Sequence, residues 1–194
     1  LNASAIGYYG ARGDEPLTEA ASPGTGFQTE LCRRWEAAAE EAASRGVAVA
    51  IARFCVVLDR DGGALPQLAR PVRLFAGTVL GTGRQWFSWI HLDDLLDLLA
   101  VLLARGDVTG AVNATAPEPV RYEDLMSALA RALHRPLWPI RVPAAAVRAA
   151  LGELADLFVE GQRVLPARVE SLGFAFRYRS ISAALAAIYG RARR

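Results

Sequence analysis

A chain of 194 residues can bury a real core as one domain, or one and a fraction, and a hydrophobic share of 53% excludes a disordered polypeptide. The formal net charge of +2 gives no electrostatic case for nucleic acid, and the absence of lysine among 22 basic residues reads as GC-rich coding rather than phosphate chemistry. The longest apolar run, Leu95–Leu103, is broken at Asp97 and too short to span a bilayer, so no membrane partner is expected.

Leu1–Gly10 reads as the end of a strand followed by a glycine-bearing turn, with a continuation of the chain expected upstream. Ser4, Tyr8 and Tyr9 would then hang at the carboxyl end of that strand, where open parallel sheets bind their ligands. A polar loop runs to about Gly26. A helix over Phe27–Ser44 follows, with Phe27, Leu31, Trp35 and Ala38 forming its apolar face and Gly46 just past its end.

Val47–Leu58 is continuously apolar except for Arg53, the pattern of a strand covered on both faces in a parallel sheet. A short helix is expected over Ala64–Phe75 and a glycine-rich loop to Gln85. A strand should span Gln85–Leu92, with Asp93 or Asp94 capping a helix to Arg105. Further expectations are a strand at Ala111–Thr115, helices over Tyr122–His134, Val142–Phe158 and Pro166–Leu172, a strand at Phe174–Tyr178 and a last helix at Ile181–Tyr189. Strands alternating with helices give an α/β class with a mainly parallel sheet, which strand Val47–Leu58 joins by pairing with Leu1–Ser4.

Gly81-Thr82-Gly83 is followed by a strand where a phosphate-cradling turn needs a helix N-terminus, and reads as a substrate-side loop or a plain turn. Cys32 and Cys55, with no secretory segment in view, suit a reduced, cytoplasmic compartment. Two histidines far apart make a metal site unexpected. His91 is either a hydrogen-bonded structural residue near the cleft or a catalytic base.

The segment S-A-x-x-Y (Ser4 to Tyr8) resembles the serine-bearing strand end of extended short-chain dehydrogenase/reductases, and W-I-H-L-D-D (Trp89 to Asp94) resembles a second motif of that group. Runs from Phe27 to Glu36, Arg53 to Gly63, Gly81 to Asp94 and Gly161 to Tyr178 are similar to one atypical branch. That branch comprises the NAD(P)-dependent epimerase/dehydratase-like, SulA-like nucleoside-diphosphate-sugar epimerases, and it ends in a domain of unknown function. The resemblance implies the C-terminal portion of a doubly wound Rossmann-like sheet. Residues 1–141 would be a truncated NAD(P)-binding domain lacking its glycine-rich half, and 142–190 a small, mostly helical family-specific domain.

It further implies NADP or NAD as cofactor of the full-length parent, and a small-molecule substrate that the branch allows to be nucleotide-linked. A homodimer is also compatible with it. On this likeness Ser4 would polarise the substrate oxygen and contact the cofactor. Tyr8, Tyr9, Cys32 or His91 would supply a proton. Arg53, Val56 and Val57 would line the nicotinamide, and Arg84 and Trp89 the substrate. The group's usual tyrosine–lysine acid/base pair is missing: Phe27 and Leu31 stand in its slots, and the chain has no lysine. Two readings therefore follow, an epimerase-like enzyme or a non-catalytic NAD(P)-binding regulator, with the fragment itself inactive.

Overall fold

The computed structural model describes residues 1–143, 145–146, 149 and 161–190. Its centre is a parallel three-stranded sheet in which β1 (Asn2–Ala5) and β8 (Gly110–Ala114) flank β3 (Ala50–Phe54). Ser4 stands opposite Arg53, and Arg53 opposite Asn113, so the expected pairing of the first segment with the apolar strand is present. Within the chain between β1 and β3 lie a short β2 (Pro16–Leu17) and the long helix α1 (Phe27–Ala43). Such a crossover is what parallel strands require.

The apolar strand is shorter than its composition suggests. Val47 is exposed, pairing begins at Ala50, and Cys55 separates β3 from β4 (Val56–Leu58). After α2 (Leu65–Arg73) and β5 (Val79–Leu80), the predicted strand over residues 85–92 divides into β6 (Trp86–Phe87) and β7 (Trp89–His91). The division falls at Ser88, whose hydroxyl donates to the Gln162 carbonyl and accepts from the Val164 amide. β7 runs parallel to β4, and α3 (Leu92–Ala104) leads from it to β8. Next come β9 (Val120–Arg121), which pairs antiparallel with β6, and α4 (Tyr122–Ala132). β10 (Arg141–Val142) pairs with β5, and β11 (Arg163–Val164) pairs with β2, both parallel. α5 (Ala167–Ser171) and α6 (Ile181–Tyr189) complete the described chain. Val142 closes β10, and the rest of the helix expected at Val142–Phe158 lies largely outside the described residues.

Two faces of the central sheet differ in chemistry. On one, Ala52, Val112 and Ala114 pack against Leu95, Leu98 and Leu102 of α3 in a wholly apolar cluster. The other carries the polar row Ser4–Arg53–Asn113 beneath α1. This corrects the orientation expected for α1. Its buried residues are Thr29, Cys32 and Glu36, whereas Phe27, Leu31 and Trp35 point outward at 81%, 36% and 51% exposure. A polar sheet face selects the polar side of the helix.

Residues 174–178 form no strand. The Arg177 and Tyr178 amides donate instead to the fully buried Asp94 carboxylate, at 2.8 and 3.0 Å, which replaces a ladder partner. No described helix is long and apolar enough to cross a membrane.

Candidate functional site

The polar row at the end of β1 is a closed hydrogen-bond network. Arg53 grips Glu36 with two parallel bonds, Nε to Oε1 at 2.8 Å and Nη2 to Oε2 at 2.7 Å. Its Nη1 donates to the Tyr9 phenol oxygen at 2.9 Å, and that phenol donates to Asn113 Oδ1 at 2.7 Å. Ser4 Oγ donates to Glu36 Oε1 at 2.6 Å. Ser4, Glu36 and Arg53 are all at least nine-tenths buried, so each charge depends on the other for solvation.

Burial works against the Arg53 charge, but the bonds to Glu36 and Tyr9 outweigh it and keep the guanidinium protonated. Burial likewise pushes the Tyr9 phenol up, although Arg53 pulls it partly back. The Ser4 proton is already given to Glu36, so that hydroxyl has no donor to spare for a ligand. Each nitrogen of Arg53 is engaged once, which fixes the plane of its buried guanidinium.

The remaining expected residues are distributed around this network. Tyr8 is half-buried with the Arg53 guanidinium 3.5 Å from its ring centroid, and its hydroxyl has no hydrogen-bond partner among the described residues. Cys32 is on the buried face of α1, and that burial raises its thiol pKa and keeps it protonated. Cys55 donates to the Ala114 carbonyl, and burial pushes its thiol up to about 12. Val56 and Val57 are half-buried on β4, beyond the break at Cys55.

His91 stands apart, opposite Leu58 at the end of β7. Its Nδ1 accepts the Asp93 amide at 3.0 Å, so it, rather than Asp93 or Asp94, caps α3. Burial lowers its pKa, and the neutral ring therefore carries its proton on Nε2. The ring also stacks on Tyr178, with centroids 4.0 Å apart.

Trp89, expected on the substrate side, is fully buried and donates Nε1 to the Glu118 carbonyl. Three residues earlier, Trp86 lines an open cleft of about 430 Å³ together with Asp14, Arg84 and Arg121. Gly161 closes one wall because a side chain there would run into the Trp86 backbone. Arg84 does reach this cleft, and its guanidinium makes no ion pair among the described residues. Sequence reasoning missed Asp14, Trp86 and Arg121. Trp86 and Trp89 are indistinguishable in an alternating aromatic run, and Asp14 lies in a loop without periodicity.

The family model "Domain of unknown function (DUF1731)" matches residues 142–188. The chloroplastic epimerase family protein SDR39U1 homolog of Arabidopsis thaliana is 44% identical over 188 residues, covering 97% of this chain and 54% of that protein. Among solved structures, human epimerase family protein SDR39U1 (isoform 2) with NADPH superposes with a TM-score of 0.88 at 30% identity. That match covers 98% of this chain and 64% of the human one. The nucleoside-diphosphate sugar epimerase of Corynebacterium glutamicum gives 0.79 at 39% identity, over 97% of this chain and 36% of the other. The fold is thus Rossmann-like α/β, and the chain spans roughly half to three-fifths of the length of the curated relatives it matches, 54% and 62% for two of them.

Proposed function

We propose that the chain, similar along nearly all of its length to SDR39U1-like epimerase family proteins, forms the substrate-side portion of an NAD(P)-dependent epimerase/dehydratase-type enzyme. The observation that carries this reading is the superposition on the NADPH-bound human structure along 98% of the chain. In the proposal, residues 1–141 belong to the nucleotide-binding domain and 142–190 to the family-specific C-terminal unit. The substrate is a small molecule, nucleotide-linked or not.

The described residues fit the nicotinamide end of such a cofactor in one respect. Val56 and Val57 offer half-buried apolar surface just past the carboxyl end of β3, where a flat ring can be held out of water. When bound, a nicotinamide supplies hydride transfer. Arg53 does not fit as a cofactor ligand, because its guanidinium is buried, paired with Glu36 and bonded to Tyr9. Its part is to hold Tyr8 in place by stacking on the ring.

Among the candidate proton donors, Ser4 is tied to Glu36, Tyr9 to Asn113, and Cys32 is a buried thiol. Tyr8 retains a hydroxyl free of the network, and we assign it the proton at the reacting oxygen. In a protein of the relatives' full length, Tyr8→Phe is expected to lower turnover about 100-fold with nicotinamide affinity unchanged. Unchanged turnover would remove Tyr8 from the mechanism. Arg84, and not Trp89, faces the substrate. The outward Phe27–Leu31–Trp35 stripe is the apolar surface on α1 open to a second copy of the chain.

One observation favours the rival, non-catalytic reading: the Ser4 hydroxyl is consumed internally and no lysine accompanies Tyr8. Substrate-dependent reduction or oxidation of bound nicotinamide, followed at 340 nm, separates the two readings. Its absence across sugar nucleotides and small carbonyl compounds would favour the regulator.

A further inference from the structure

The cleft beside Trp86 contains an unusual arrangement of charge. A single oxygen of Asp14, Oδ1, accepts both Trp86 Nε1 and Arg121 Nη2, each at 2.7 Å. Arg121 lies 3.8 Å from the Trp86 ring centroid and Arg163 lies 4.9 Å from it. Arg84 lines the cleft with Arg121, near enough to act on Asp14 electrostatically. Among the described residues the one acidic side chain lining the cleft is Asp14, set against Arg84 and Arg121 in the lining and Arg163 beside the Trp86 ring. The nearby Glu123 is occupied by Arg141.

We propose that this cleft seats an oxyanionic group, phosphate or carboxylate, of a small-molecule ligand on Trp86 Nε1, Arg121 and Arg84, with Asp14 as a built-in competitor for the same donors. The inference rests on the substrate-side assignment of the cleft and adds the chemical class of what binds there.

Asp14 has the properties of an occupant rather than a structural latch. Its side chain is 73% exposed, and an exposed ion pair of this kind is held weakly. Its loop has an independent anchor, since Arg12 donates to the carbonyls of Ser22 and Pro23. Displacing the carboxylate therefore leaves the loop in place. The vacated donors are an indole N–H and a guanidinium, backed by the Arg84 guanidinium, which has no ion pair among the described residues. A phosphate or carboxylate carrying its own hydrogen-bond acceptors would satisfy all three.

The test uses the chain itself at low ionic strength, where such contacts are least screened. Inorganic pyrophosphate and malonate are titrated separately, by calorimetry and by the indole N–H resonances of ¹⁵N-labelled protein, with Trp86→Phe identifying the Trp86 signal. Asp14→Asn should bind at least one of the two anions about five- to tenfold more tightly than the unaltered chain. Glu15→Gln makes the same charge change beside it, at a residue paired with Arg12, and should leave affinity unchanged. Arg121→Gln should abolish binding, and the Trp86 indole signal should move on saturation.

The anion that binds identifies the group. If Asp14→Asn gains no more than Glu15→Gln, if neither anion binds it, or if the Trp86 resonance stays still, the proposal is overturned. None of these measurements involves nicotinamide. Their failure therefore leaves the hydride reading intact, and an absence of hydride chemistry leaves the anion titration meaningful.

Discussion

Arg53 shows how a single residue's meaning can be half legible. As the only charge in an apolar strand it stood out, and its resemblance to a cofactor-lining position gave it a role. Its actual partner, Glu36, lies 17 residues earlier, on the turn of α1 that parallel packing brings over β3. That pairing follows from register, which composition does not encode. Removing one member of a buried pair strands the other, so Glu36→Ala should cost about 3–5 kcal/mol in urea denaturation. The double variant Glu36→Ala/Arg53→Met, which removes both charges, should recover most of that loss. A single-variant cost below about 1 kcal/mol would mean that Arg53 finds its compensation elsewhere. The same distinction explains Trp89 and Trp86: the family-like motif pointed to the first, and burial decides for the second.

At the scale of elements, the pairing of β1 with β3 and most helix bounds were readable, the latter because α3, α4 and α6 each bury an apolar face. α1 was not. It has an apolar stripe and a Thr29–Cys32–Glu36 stripe, and the sheet beneath it, carrying Ser4, Arg53 and Asn113, selects the second. The cap of α3 was also misread, because two aspartates follow a histidine and all three residue types can accept an amide. With His91 as cap and Asp94 receiving the Arg177 and Tyr178 amides, α3 acquires a pH dependence. Burial depresses the His91 pKa below its ordinary value near 6.5, only partly offset by Asp93, Asp94 and Asp59, while Arg177 adds to the depression. An unfolded chain therefore takes up a proton that the native state resists. The stability this group contributes is complete above about pH 6.5, falls as pH drops through that value, and levels off below the native pKa. His91→Asn keeps an amide acceptor at the cap without titrating. Denaturation midpoints measured from pH 5 to 8 should fall less steeply on the acid side for the variant. Parallel profiles would show that another group sets the dependence.

For the whole molecule, the proposed boundary near residue 141 does not divide the buried core. Ile181, Leu185 and Ile188 of α6 belong to the same buried cluster as Leu68 and Val72 of α2, Leu125 and Leu129 of α4, and Trp89 of β7. Hydrogen bonds cross the boundary as well: Ser88 bridges Gln162 and Val164, Asn113 Nδ2 donates to the Leu165 carbonyl, and Asp94 holds residues 177 and 178. A chain stitched this way should unfold as one cooperative unit. Leu185 is fully buried, and Leu185→Ala should cost about 2–5 kcal/mol through the lost side chain and the cavity left behind. Trp89 reports on the shared cluster from the other side of the boundary. In a variant with Trp35, Trp86 and Trp138 replaced by Phe, its fluorescence transition should therefore move with the far-ultraviolet circular dichroism transition, both shifted alike by Leu185→Ala. If the substitution displaces the dichroism midpoint while the Trp89 transition stays where it was, residues 161–190 unfold separately, and the shared cluster does not couple them to the sheet.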